Sequence, residues 1–142
     1  MIKMKFKKIS DTFIVRLGSG ERVLETLKGF CSKNDIKCGY FFGIGSLDEA
    51  ELAHYIVKTK KYTYQLYKQP LEIISLNGNV TTMNNEVYIH CHACLSDVNM
   101  EAIAGHLKEG VTGATAEIVL IKLDGELHRE HDDKTGLNLM MF

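Results

Sequence analysis

At 142 residues with 45% apolar side chains, the chain has enough material to bury one hydrophobic core and too little for two ordinary domains. A formal charge of -1 excludes a global attraction to nucleic acid or to an anionic membrane, so binding of that kind would need a local patch or an assembly. The basic start MIKMKFKK lacks the uninterrupted apolar core of a signal peptide, and no run approaches the roughly 20 apolar residues of a membrane span. The four cysteines, Cys31, Cys38, Cys91 and Cys94, are therefore expected to be reduced in a cytoplasmic protein.

In chain order, residues 2–8 alternate Ile2, Met4 and Phe6 with Lys3, Lys5 and Lys7, predicting a strand with a wet lysine face that discourages edge-to-edge pairing. Residues 12–17 predict a second strand, with Phe13, Val15 and Leu17 on one face, stopped at Gly18-Ser19-Gly20. Ser19 is the expected N-cap of an amphipathic helix over about residues 20–33, whose Val23, Leu24, Leu27, Phe30 and Cys31 recur at helical spacing. The glycines at its start lack a Walker lysine and the full dinucleotide fingerprint, which argues against a phosphate cradle. Residues 38–44 predict an aromatic-rich strand, and Gly43, Gly45 and Ser46 at its end form a candidate pocket wall because glycine allows a close backbone approach. Residues 49–57 and 62–67 predict a hairpin with the basic turn Lys58-Thr59-Lys60-Lys61. After the single proline, Pro70, residues 71–80, β-branched and ending in Asn77-Gly78, predict a strand with a bend, with helix as the weaker alternative, and Asn84-Asn85 a turn.

Residues 87–95 carry the chemistry. As a strand they place Val87, Ile89, Cys91, Ala93 and Leu95 on one face and Tyr88, His90, His92 and Cys94 on the other. Two imidazoles at i and i+2 point the same way about 6–7 Å apart, near enough to share a metal ion, and His106 could complete a three-histidine set. Cys94 on the same face leaves a closed site of three histidines and one thiolate as the alternative. The metal is expected to be zinc, although imidazole also suits copper, nickel and iron. The Cys91-x-x-Cys94 pair lies inside a strand pattern rather than at the turn a redox dithiol needs.

Residues 96–113 read as irregular, with a helical piece around residues 99–104, and residues 114–123 as a strand with Thr115, Glu117, Val119, Ile121 and Leu123 on one face. Glu117 on an otherwise apolar face needs a partner, because burying an unpaired charge costs several kcal/mol; it is a candidate acid/base, or a salt-bridged strand end. In the polar tail, His128, Arg129, Glu130 and His131 are expected to be solvated, and Leu137, Leu139, Met140 and Phe142 to return apolar contacts. Many strands beside one good helix predict an α+β fold on a strongly twisted antiparallel sheet approaching a barrel.

The ordered motifs LEIISLNGNV, IHCHACLSD, AGHL and ATAEIV between residues 70 and 123, with the Gly43-Ile44-Gly45-Ser46 segment and the Arg16-Leu17-x-x-Gly20-Glu21 opening, resemble the PPC (plants and prokaryotes conserved) domain over nearly the whole chain. The resemblance implies a single α+β domain over residues 1–142 that assembles as a homotrimer. It implies a zinc-holding triad at His90, His92 and His106 near a subunit boundary, and partner binding by the stretch Leu71, Glu72, Ile73, Ile74 and Ser75. Prokaryotic single-domain members commonly carry the label of DNA-binding proteins. This sequence has no R-G-R-P AT-hook, so the minor-groove element of the plant members is missing, and it has Ala104 where many relatives carry a second glycine. Three classes of function follow: a metal-binding regulatory or interaction module, a zinc hydrolase or lyase in which Glu117 moves protons, and a DNA binder whose threefold repetition gathers Lys3, Lys5, Lys7 and the 58–61 turn into a basic face.

Overall fold

The computed structural model describes residues 3–142, so Ile2 of the first expected strand lies outside the described residues. A hairpin of β1 (Lys5–Ile9) and β2 (Thr12–Gly18) leads into α1 (Val23–Lys33). Four long strands follow: β3 (Gly39–Ile56), β4 (Lys61–Met83), β5 (Glu86–Ser96) and β6 (Ala102–Lys122). A last hairpin, β7 (Arg129–Asp132) with β8 (Leu137–Met140), forms its own two-stranded sheet. The main sheet runs β1-β2-β6-β3-β4-β5, antiparallel at each pairing, and β5 also pairs with β6, so that β6, β3, β4 and β5 close into a ring. The expected α+β fold on a twisted antiparallel sheet with one helix is borne out.

The ring's inward residues, among them Phe41, Leu47, Leu76, Leu95, Leu107 and Ile118, form one core with the apolar face of α1. That face is Val23, Leu27, Phe30 and Cys31, as the helical spacing predicts. The helix starts later than expected, and Ser19 does not cap it. Its N-cap is Arg22, which gives no side-chain cap, and the amides of Leu24 and Glu25 donate instead to the Glu109 carboxylate of β6 at 2.8 and 3.1 Å. Glu21 in turn accepts from the amides of Gly18 and Met4 at 2.8 and 3.0 Å. The amides that could have cradled a phosphate here thus face the chain's own carboxylates.

Where the sequence suggests separate strands, the structure has single long ones that bend. β3 joins the 38–44 and 49–57 segments through register shifts between Gly43 and Gly45 and between Leu47 and Glu49. β4 joins the two segments around Pro70, which lies between the Leu47–Leu71 and Glu49–Lys68 pairs, where the shifted register asks for no ladder N–H. Asn77-Gly78 is not a bend: both pair regularly with β3 and β5, and Gly78 is the point where the Phe41 ring lies against the backbone. The 99–104 helix is likewise absent. Asp97 Oδ1 accepts from the amides of Asn99 and Glu101 at 2.8 and 3.0 Å, Met100 adopts a left-handed φ of 64°, and this tight turn delivers the chain into β6. The Asn84-Asn85 turn holds, with both residues left-handed between the paired Met83 and Glu86.

Gly45 shows how closely the bulged strands approach. Its φ is 148°, and a Cβ there would meet the Thr115 carbonyl oxygen and, at 2.7 Å, Ala116 Cα. Gly45→Ala is expected to destabilise the protein by about 2–4 kcal/mol, combining backbone strain with overpacking. Urea unfolding checks this, and an unchanged midpoint would contradict the assigned register.

Candidate metal centre

Alternation along β5 places Cys91, Ala93 and Leu95 inward and buried, while Tyr88, His90, His92 and Cys94 take the opposite face. His106 arrives from β6, where it stands directly opposite His92 in the β5–β6 ladder. The three imidazoles form a triangle with ring centroids 5.0, 5.2 and 5.5 Å apart. One nitrogen from each lies within 4.8 Å of the others. Bonds of about 2.0–2.1 Å in tetrahedral geometry set ligand nitrogens about 3.3 Å apart, so ring rotations of about an ångström would close the triangle on one ion. Among the described residues no hydrogen bond or ion pair takes a ring nitrogen of this triad, whereas His128 and His131 both have partners.

The electrostatics suit a metal ligand set. Burial, then the neighbouring His106 and His92 and the Arg129 charge, push His90 down to about 4. Burial, followed by His92 and Lys108, also lowers His106. Both rings are neutral at pH 7 and offer lone pairs, so little proton competition opposes metal there. Cys94 does not join them. It lies beyond His92, opposite Ala104, outside the three-residue cluster, and the closed alternative with a thiolate is not brought together.

Other candidates lie elsewhere. Glu117 is eleven residues from His106 along β6, about 35 Å of strand path, and pairs with Ile44 and Arg16. Its face is not the buried one, which belongs to Ala116, Ile118 and Leu120; Glu117 is exposed, so the expected cost of burying its charge does not arise. Gly43 lines a concavity of about 510 Å³ that it shares with Glu117, away from the histidines. Gly45 packs on Thr115, and the Ser46 hydroxyl accepts from the Ala114 amide at 2.9 Å. Of the 71–75 stretch, Leu71 and Ile73 are core residues, while Glu72 and Ile74 face outward and Ser75 is half-buried.

Beside the triad, β7 and β8 close a cavity of about 250 Å³. Its wall includes Tyr62, Tyr64, Tyr88, Lys108 and Arg129 together with His90 and His106. Arg129 is the main correction to the tail, where solvation is expected: it is only 7% exposed. Its Nε donates to Thr81 Oγ1, Nη1 to the Asn138 carbonyl and Nη2 to Asn79 Oδ1, at 2.9, 2.7 and 2.9 Å, and its guanidinium lies over the Tyr88 ring. Leu137 and Leu139 of the same hairpin line the cavity, whereas Phe142 is fully exposed. Lys108 shares the face of His106 by strand alternation, a signal masked when residues 96–113 read as irregular. No local signal marks Arg129, two of whose three hydrogen-bond partners, Thr81 and Asn79, lie some 50 residues away.

A ring of antiparallel strands covered by one helix, with a three-histidine cluster on its outer face that could hold a metal ion, defines a small protein of the β-rich α+β class. The Plants and Prokaryotes Conserved (PCC) domain matches residues 4–124, and the chain belongs to that family. A crystal structure described as a "putative DNA binding protein" from Bacteroides thetaiotaomicron is 30% identical, with 99% of each chain covered and a TM-score of 0.96. A plant- and prokaryote-conserved protein from Pyrococcus horikoshii is 31% identical, covering 100% of this chain and 98% of its own, at a TM-score of 0.87. A protein from Archaeoglobus fulgidus described as metal-containing is 28% identical, with full coverage of both chains and a TM-score of 0.88. A search of curated proteins finds no match.

Proposed function

We propose that the chain is a single-domain regulatory or interaction module that assembles as a homotrimer and holds one zinc ion per chain on His90, His92 and His106. The convergence of three imidazoles with free nitrogens carries this reading. Three protein ligands leave a fourth position open, and a bound zinc would supply a Lewis-acidic centre there. The metal-containing description of the Archaeoglobus relative supports the same reading.

Self-assembly is supported by an apolar strip across the outer sheet face. Ile14 of β2, Phe42 and Ile44 of β3 and Ile74 of β4 are 40%, 44%, 60% and 56% exposed and line one concavity with Glu117 and Val119. A contiguous patch of this kind suits a protein interface, and the family resemblance supports a threefold arrangement of the assembly. The placement of Glu117 on this face, rather than beside the triad, favours the module over an enzyme with that carboxylate as acid/base. The outward Glu72 and Ile74 are the members of the 71–75 stretch available to a partner. A cytoplasmic location fits the four free cysteines, and no helix among the described residues is long and apolar enough to cross a membrane.

DNA association is the second reading, supported by the description of the Bacteroides relative and by the exposed Lys3, Lys5, Lys7 and 58–61 lysines. It requires affinity that falls steeply with salt, and a flat dependence would exclude it. For the primary reading, elemental analysis of protein purified without added metal, paired with light scattering, is expected to give one zinc per chain in a particle of three chains. Metal-free monomers would overturn it.

A further inference from the structure

Arg129 is a buried cation with no anion. Its three hydrogen bonds go to a hydroxyl, a main-chain carbonyl and a side-chain amide, all neutral, and no ion pair among the described residues includes it. Three of the five N–H donors of a guanidinium are thereby used and two remain. The Lys108 ammonium, also absent from those ion pairs, stands on the wall of the same cavity, and no carboxylate is part of that wall. Removing a charge from water costs several kcal/mol unless a counter-charge or enough hydrogen bonds replace the solvent, and a divalent ion on the adjoining histidines would add two more positive charges. The cavity is thus built with an excess of positive charge that the protein itself does not balance.

We propose that the cavity between the triad and the β7–β8 hairpin binds a small carboxylate-bearing molecule, with the carboxylate between the metal's open position and the Arg129 and Lys108 cations. The inference deepens the zinc reading and rests on it for one of its three contacts. The guanidinium fork matches a carboxylate in shape as well as charge. The rest of the wall, with the rings of Tyr62, Tyr64 and Tyr88 and the Leu137 side chain, suits an apolar or aromatic body. A volume of about 250 Å³ lies below the roughly 300–1,000 Å³ of sites for drug-sized ligands, which limits the occupant to a compact molecule.

Benzoate is a suitable probe, with benzamide as its neutral counterpart, because a monocarboxylate does not strip the metal as a chelating diacid would. Metal content is measured first, and calorimetry then follows benzoate binding to the loaded trimer. Saturable benzoate binding is expected, at least tenfold tighter than benzamide, and weakened at least tenfold in Arg129→Gln with metal content unchanged. Because Arg129 also ties β7 to β4, the exposed Lys108→Gln serves as a second variant, with a severalfold loss expected and no change in thermal unfolding. Equal affinity for benzoate and benzamide, or benzoate binding indifferent to both substitutions, overturns the proposal. If the protein takes up no metal, the zinc reading fails by itself: benzoate binding that still depends on Arg129 and Lys108 upholds the cavity assignment, and no binding overturns that too.

Discussion

Replacing His106 with alanine is expected to abolish stable metal binding while leaving the fold intact. His106 is the one member of the triad supplied by β6, and without it the remaining pair on β5 offers zinc two imidazoles from a single strand. Loss of one of three protein ligands is expected to weaken affinity by on the order of a hundredfold or more, since even partners behind the ligands contribute about 10–100-fold. The side chain is only partly buried, and the backbone pairs of His106 with His92 and Ala53 do not depend on its ring, so thermal unfolding of the metal-free variant should match that of metal-free wild type. Competition with a chromophoric chelator measures the affinity. Cys94→Ala should bind zinc as tightly as the wild type. A variant order reversed between these two would move the ligand set to the thiol.

The second large effect is expected at the apolar strip. Ile74→Asp should convert trimers to monomers, because threefold assembly would bury one unpaired carboxylate per subunit at a cost of several kcal/mol each. The folded chain should tolerate it, since Ile74 is 56% exposed and contributes nothing to the core. Leu71→Ala, three residues earlier, should do the opposite: Leu71 is buried at 2% exposure, so its truncation is expected to cost about 2–5 kcal/mol of stability without addressing the outer face. Light scattering and circular dichroism on the two variants separate the effects. Trimers persisting in Ile74→Asp would place the assembly interface elsewhere.

The histidine strand was legible in the sequence because its chemistry is local. Period-two alternation alone sorts Cys91, Ala93 and Leu95 from His90 and His92, and the burial pattern of β5 follows it. Helix α1 was legible for the same reason, through the spacing of Val23, Leu27 and Phe30, but its start was not: Glu109 caps it from 85 residues away, a partner that no inspection of residues 18–23 reveals. The length of β3, β4 and β6 was obscured by Gly45, Pro70 and the Gly105–Gly113 run. These punctuate an ordinary strand, yet here they mark bulges and close strand crossings in a bent ring. Reading residues 96–113 as irregular hid Lys108 beside His106, while the apolar neighbours Val119, Ile121 and Leu123 put Glu117 on a face assumed to be buried. Arg129 was missed altogether, because a charged residue in a polar tail gives no sign that a distant strand will bury it against Thr81 and Asn79.

Zinc-edge X-ray absorption of the reconstituted protein decides whether three imidazoles meet on one ion and leave it a free position. Scattering is expected from three imidazole nitrogens at about 2.0–2.1 Å with one further light atom and no sulfur. A sulfur shell near 2.3 Å, or fewer than three imidazoles, would contradict that arrangement.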